Sequence, residues 1–137
     1  MADITVARDP GEQEGRVLAL AVKASTKLVA GAAVSTDSNG LLKNASDTAS
    51  EVFAGIMDKT VDNSTGAAGA KKGRVIRRGV FDFACASATQ AWVGQKVYAV
   101  DNQTVALAAT TTNDILVGRV VDFISATKVR VEITPAV

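Results

Sequence analysis

The 137-residue sequence contains no histidine and a single cysteine, and it has no apolar run approaching the roughly 20 residues that a membrane-spanning helix requires. Without histidine, the chain cannot build a histidine-based nucleophile triad or the usual zinc sites. It also lacks the side chain best suited to general-base work at neutral pH. One cysteine excludes an intrachain disulfide and fits assembly in a cytoplasm; Cys85 itself is expected in the core, where free thiols usually lie. Charge is scarce in net terms, at +1, which gives no overall attraction to nucleic acid or to an anionic membrane. The opening residues Met1 to Pro10 are acidic where an export signal needs a basic and then an apolar stretch, so a soluble protein without such a signal is expected. Aromatic residues make up only 4%, leaving Val, Ile, Leu and Ala to form the interior.

The composition is nevertheless 47% hydrophobic, and the length suits one domain with one core. A core poor in large side chains fits packed strands, or a subunit that completes its burial in an oligomer. Residues 1–15 are polar and include Pro10, Gly11, Glu12 and Glu14, so they are read as an extended N-terminal arm. Within it Ile4, Thr5, Val6 and Ala7 alternate as a short strand would, ready to pair with a sheet edge on another molecule.

Residues 16–137 are predicted to form a single all-β domain, a small barrel or sandwich. Short β-type runs separated by turn residues extend over Val17–Val22, Ala32–Thr36, Val52–Thr60, Arg74–Ile76, Val80–Cys85, Lys96–Val100, Thr104–Leu107, Leu116–Ile124 and Lys128–Ile133. The last run alternates most clearly, with Val129, Val131 and Ile133 on one face and Lys128, Arg130 and Glu132 on the other. Ser125 to Thr127 should close its hairpin, and Asn39-Gly40 marks another tight turn. Thr48 and Glu51 stand at capping-box spacing, although a loop is expected there.

An internal repeat organises these runs. Val29 to Val34 matches Trp92 to Val97 at an offset of 63, and the same offset relates Gly55 to Gly118, Phe53 to Leu116 and Asn39 to Asn102. It also relates Val17, Leu18 and Leu20 to Val80, Phe81 and Phe83. Two such halves imply a pseudo-twofold arrangement, with a bulge or bend at each internal glycine. The halves differ where Asn63 to Lys72 replaces the tight Ser125 to Thr127 turn, and this segment is expected to be an exposed flexible loop.

No constellation of catalytic or metal-binding residues emerges, and no cofactor is expected. The carboxylates are scattered at strand ends and turns, where Asp stabilises local backbone structure. Asp58 and Asp122 nearly correspond in the two halves and invite a pairing, but they lack the dense oxygen-ligand spacing of a calcium site. Gly66 and Gly69 precede Lys71 and Lys72 without phosphate-loop spacing. The concentrated charge is the basic run Lys71, Lys72, Arg74, Arg77 and Arg78. It reads either as a solvated edge strand that discourages unwanted pairing or as a docking surface for an acidic protein or a phosphate backbone. Stacking aromatics, which single-strand binders normally add, are few. Trp92 takes the repeat position of Val29 and is read as core or subunit interface.

Several segments together carry a resemblance. They are Val17 to Val22, Leu28 to Val34, Val52 to Met57, Gly79 to Phe81, Val93 to Tyr98 and Val117 to Val121. Over residues 16–133 the chain resembles the head decoration, or cement, proteins of tailed bacteriophages. The resemblance implies a β-rich, commonly trimeric subunit on the outer capsid surface, assembled in the host cytoplasm, that binds the major capsid protein and bridges capsomers. It would give Ile4 to Ala7 the role of a capsid-binding arm. No membrane contact is implied. The alternative is a barrel that binds single-stranded nucleic acid through Lys71 to Arg78.

Overall fold

A computed structural model of the chain describes residues 6–7 and 15–137. The first half contains β1 (Val17–Ala21), β2 (Thr26–Leu28), β3 (Ala33–Thr36), β4 (Leu42–Asn44), β5 (Val52–Met57), β6 (Val61–Asn63) and β7 (Lys72–Ile76). The second contains β8 (Val80–Ala84), β9 (Lys96–Ala99), β10 (Val105–Ala106), β11 (Leu116–Ser125) and β12 (Lys128–Ile133), with short 3-10 turns at Gln90–Trp92 and Ala108–Thr110. The all-β class expected from the sequence is what the chain adopts.

The repeat is visible in the strand order. The first sheet runs β1-β7-β5-β3-β4 and the second β8-β12-β11-β9-β10, so equivalent strands occupy equivalent places. Each sheet curls until its two edges touch, through a parallel bridge between Val22 and Leu42 in one half and between Ala84 and Thr104 in the other. Curling of this kind leaves little open edge for unwanted pairing. Backbone hydrogen bonds repeat as well. Gly31 N–H donates to Met57 O at 2.9 Å and Gly94 N–H to Val120 O at 2.8 Å; Met57 N–H donates to Ala32 O and Val120 N–H to Gln95 O. Gly31 and Gly94 both have φ of +87°, a conformation that residues with a Cβ rarely adopt. Register shifts fall at Ala54, between the pairs Val34–Gly55 and Ser35–Phe53, and at Val117, between Leu116–Tyr98 and Gly118–Val97. The bulges expected beside the internal glycines are therefore present, at equivalent positions.

Two core clusters form where one was expected. The smaller fills the first sheet with Val22, Leu28, Val34, Leu42, Ala54, Met57 and Val75. The larger is built from the second half, around Phe83, Val97, Val105, Val117, Val120, Val129 and Val131, and takes in Ala33, Ala45, Phe53 and Ile56 from the first. The division follows from geometry: side chains alternate along β3, and the bulge at Ala54 shifts the alternation along β5 by one residue, so Val34, Ala54 and Met57 enter their own sheet's core while Ala33, Phe53 and Ile56 face the other half. Phe53 is 1% exposed and is the largest fully buried side chain. Burial of a side chain of that size stabilises by about 1.5–3 kcal/mol, here across the junction of the halves.

Polar contacts add to the junction. The Asp47 carboxylate accepts N–H bonds from Thr112 and Asn113, both at 2.8 Å, and Asn113 Nδ2 donates back to Asp47 O. Asn102 O accepts the Ala33 N–H at 2.7 Å.

Candidate docking surfaces

The basic run does not lie on a sheet edge. β7 sits between β1 and β5, which corrects the edge-strand reading: the partners that enclose β7 are distant in sequence. Alternation along the strand buries Gly73 and Val75 and exposes Lys72 and Arg74. The charges then disperse among separate tasks. Arg74 Nε lies 3.7 Å from Asp58 Oδ2, and Lys71 Nζ donates to Asp62 O at 2.7 Å. Arg77 donates to Gly15 O at 3.3 Å and to Val137 O, holding the root of the arm beside the C-terminus. Arg78 is exposed beyond the strand. Asp58 and Asp122 do not pair with one another. Each serves an arginine of its own half, Arg74 for Asp58 and Arg130 for Asp122 at 3.5 Å.

The loop after β6 is exposed, as expected, and it carries long-range hydrogen bonds. Asn63, 1% exposed, donates through Nδ2 to Lys23 O and Ala67 O. Gly69 N–H donates to Val22 O, and Gly66 O accepts the Ser25 N–H. The sequence signalled a polar Gly-rich loop but not the long-range acceptors that hold it.

Trp92 is 9% exposed and belongs to the larger core cluster. Its ring also lines a groove of about 500 Å³ together with Val100, Val105, Ala106 and Leu107. The sequence reading reached Trp92 and missed the groove, because Ala106, Leu107 and Ala109 come from the short β10 and the turn after it. Around the second half, Val80, Val93, Leu116, Val121 and Ile124 are also exposed. Val121 and Ile124 sit at the register shifts of β11, where an extra residue turns outward. On the same sheet, Arg130 joins Asp82 at 3.1 Å and Asp122, while Lys128 lies 4.0 Å from Asp82, forming a cross-strand ladder of charge.

Of the arm residues, Val6 and Ala7 are described and exposed, Val6 at 77%. Ile4 and Thr5 lie outside the described residues. Cys85 is buried, and desolvation pushes its thiol pKa up, so the nucleophilic thiolate is disfavoured. Thr48 and Glu51 close a turn rather than begin a helix, with Glu51 N–H donating to Thr48 O. The Glu51 side chain is 2% exposed and takes Lys43 Nζ and Ser46 Oγ as partners, the latter at 2.8 Å. The pair is buried at Glu51 and partly exposed at Lys43. Among the described residues, no group of three or more Cys, Asp or Glu is placed to hold a metal ion. No helix among them is long and apolar enough to cross a membrane.

A family model described as phage cement protein matches residues 12–135, spanning both halves of the repeat. No curated protein and no solved structure matches the chain.

Proposed function

The chain belongs to the phage cement protein family, and on that premise we propose that it binds the outer surface of a phage head, contacts the major capsid protein and bridges neighbouring capsomers as a homotrimer. The observation that carries this reading is the family match over nearly the whole double-half scaffold. The molecule's surfaces support it. Exposed valines, Leu116 and Ile124 offer apolar contacts around the second half, and Val6 projects from the arm. Such patches mark protein interaction sites when they are contiguous and rimmed by polar groups.

The mechanism requires binding alone. A protein that attaches to the assembled shell and not to its dissociated parts stabilises the shell by RT ln(1 + [L]/Kd), about 2.7 kcal/mol per site at 100 times Kd. A trimer gains further, since once one subunit is seated the others meet their sites at high effective concentration. Assembly onto the head would take place in the host cytoplasm. The arm, Ile4 to Ala7, extends the grip beyond the domain's own surface.

The test is co-sedimentation of the purified protein with heads that lack it, over a range of protein concentrations. Saturable binding at a fixed ratio to the major capsid protein supports the proposal; absence of binding overturns it. Against the nucleic-acid reading stand the contacts that Lys71, Arg74 and Arg77 make within the fold. Charge reversal at Arg74 and Arg78 is accordingly expected to leave head binding intact and to reveal no oligonucleotide affinity.

A further inference from the structure

The face through which the first half joins the second has a counterpart in the second half that stands exposed. In the first half, Ala33 on β3 and Ile56 on β5 lie opposite one another and, with Phe53, are buried in the core shared by the two halves. The residues 63 positions further on are Lys96, Arg119 and Leu116. Lys96 on β9 and Arg119 on β11 keep the same cross-strand relation, and all three residues are exposed. Where the first half offers its neighbour an apolar face, the second offers solvent two cations beside a leucine.

The arrangement costs the fold something. Like charges directly opposite one another on neighbouring strands are destabilising. No carboxylate offsets the repulsion: among the described residues, neither Lys96 nor Arg119 makes an ion pair, and Glu132, opposite Arg119 on β12, makes none with it. Arg119 Nη1 instead donates to Gly94 O at 3.1 Å, which holds the guanidinium on the β9 side. Elsewhere on the same sheet Arg130 is balanced by Asp82 and Asp122. Lys96 and Arg119 line a hollow of about 460 Å³ together with Tyr98, Leu107 and Ala109, and no carboxylate lines it.

A partner for this hollow must bring negative charge to the two cations and apolar atoms to Leu107 and Ala109. Phosphates supply the charge, but a single-strand site adds several stacking rings, and Tyr98 is the one aromatic residue lining the hollow. An acidic peptide supplies both requirements. We propose that this face grips an acidic segment of the major capsid protein, whose Asp or Glu seats its carboxylate between Lys96 and Arg119 while a neighbouring aliphatic side chain packs on Leu107 and Ala109. The assignment rests on the shell-binding role proposed above and gives that role a surface. A carboxylate placed there makes charge-assisted hydrogen bonds and relieves the repulsion between the two cations, so the bound state recovers what the free fold gives up.

The test is co-sedimentation with heads that lack the protein, comparing the unaltered full chain, Lys96→Glu with Arg119→Glu, and a control, Arg74→Glu with Arg78→Glu; circular dichroism checks the folding of each. The unaltered chain and the control are expected to bind, with an affinity that falls as salt is raised. Reversal at Lys96 and Arg119 is expected to weaken binding by at least about tenfold and to remove the salt dependence. If that variant does not fold, Lys96→Gln with Arg119→Gln takes its place. Binding of the altered chain equal to that of the unaltered one overturns this proposal alone, whereas failure of the unaltered chain to bind heads overturns the shell-binding role as well. Capture of a single-stranded oligonucleotide by the unaltered chain and not by the variant assigns the hollow to phosphate and also overturns the proposal.

Discussion

Gly55 and Gly118 occupy the same place in the two halves, each pressed against the backbone of the strand beside it. A Cβ on Gly55 would stand 2.2 Å from Ile76 O, and one on Gly118 would stand 2.0 Å from Glu132 O. Those approaches are closer than any real contact, so the neighbouring strand must shift to admit even a methyl group. Overpacking of this kind costs roughly 1–3 kcal/mol. Gly55→Ala is expected to exceed Gly118→Ala, because Gly55 also has φ of +143°, which strains any residue with a Cβ. Urea unfolding midpoints of the two variants measure the difference, and wild-type stability in either would contradict the equivalence.

The Lys43–Glu51 pair gives a second prediction. With Glu51 buried and its Oε1 already without a partner, Lys43→Met leaves a carboxylate with Ser46 as its remaining side-chain partner. Breaking a buried pair from one side costs about 3–5 kcal/mol. Replacing both partners, as Lys43→Met with Glu51→Leu, should recover much of that loss. A double-mutant cycle from denaturant unfolding checks the pattern.

Acid should loosen the junction between the halves. The backbone N–H groups of Thr112 and Asn113 hold the Asp47 carboxyl below its ordinary value of 3.8, against the opposing effect of desolvation. A depressed native pKa adds stability that is present above the unfolded-state value and is lost as pH falls through the native one. Asp37 and Asp62 are depressed too, foremost by the Leu41 N–H and by the Ser64 hydroxyl respectively, and act in the same direction. Melting temperature should therefore fall below about pH 4. Asp47→Asn should lie below wild type at neutral pH and approach it in acid; a gap that is constant with pH would contradict this assignment.

Deleting residues 1–14 is expected to leave the β scaffold folded, with a melting temperature within a few degrees of the intact chain, while weakening attachment to heads. Among the described residues, both core clusters are formed after position 15. Circular dichroism melting and co-sedimentation test the two parts separately, and melting far below the intact chain would contradict the first.

The fold was legible wherever alternation and glycine spacing ran long enough. Val129, Val131 and Ile133 announce β12, and the offset of 63 that joins Gly55 to Gly118 anticipates two sheets of identical order. β2, β4 and β6 were missed because three residues cannot establish a period, and Lys27, Lys43 and Asp62 dilute what signal there is. The run from Val52 to Thr60 breaks after Met57, where Asp58-Lys59-Thr60 turns the chain into β6. The candidate surfaces were harder to read. The position of Arg74 inside a sheet depends on β1 and β5, and the groove over Trp92 depends on the apolar Ala86, Val100 and Leu107 converging from three separate segments. No local pattern encodes such convergence.

The most direct test of the proposed role is imaging of phage heads that lack the protein after mixing with the purified chain. The account predicts β-rich density at symmetric positions on the outer shell, sized for two curled five-stranded sheets per copy and touching more than one capsomer. Bare shells at saturating protein, or density confined to the interior, would contradict it.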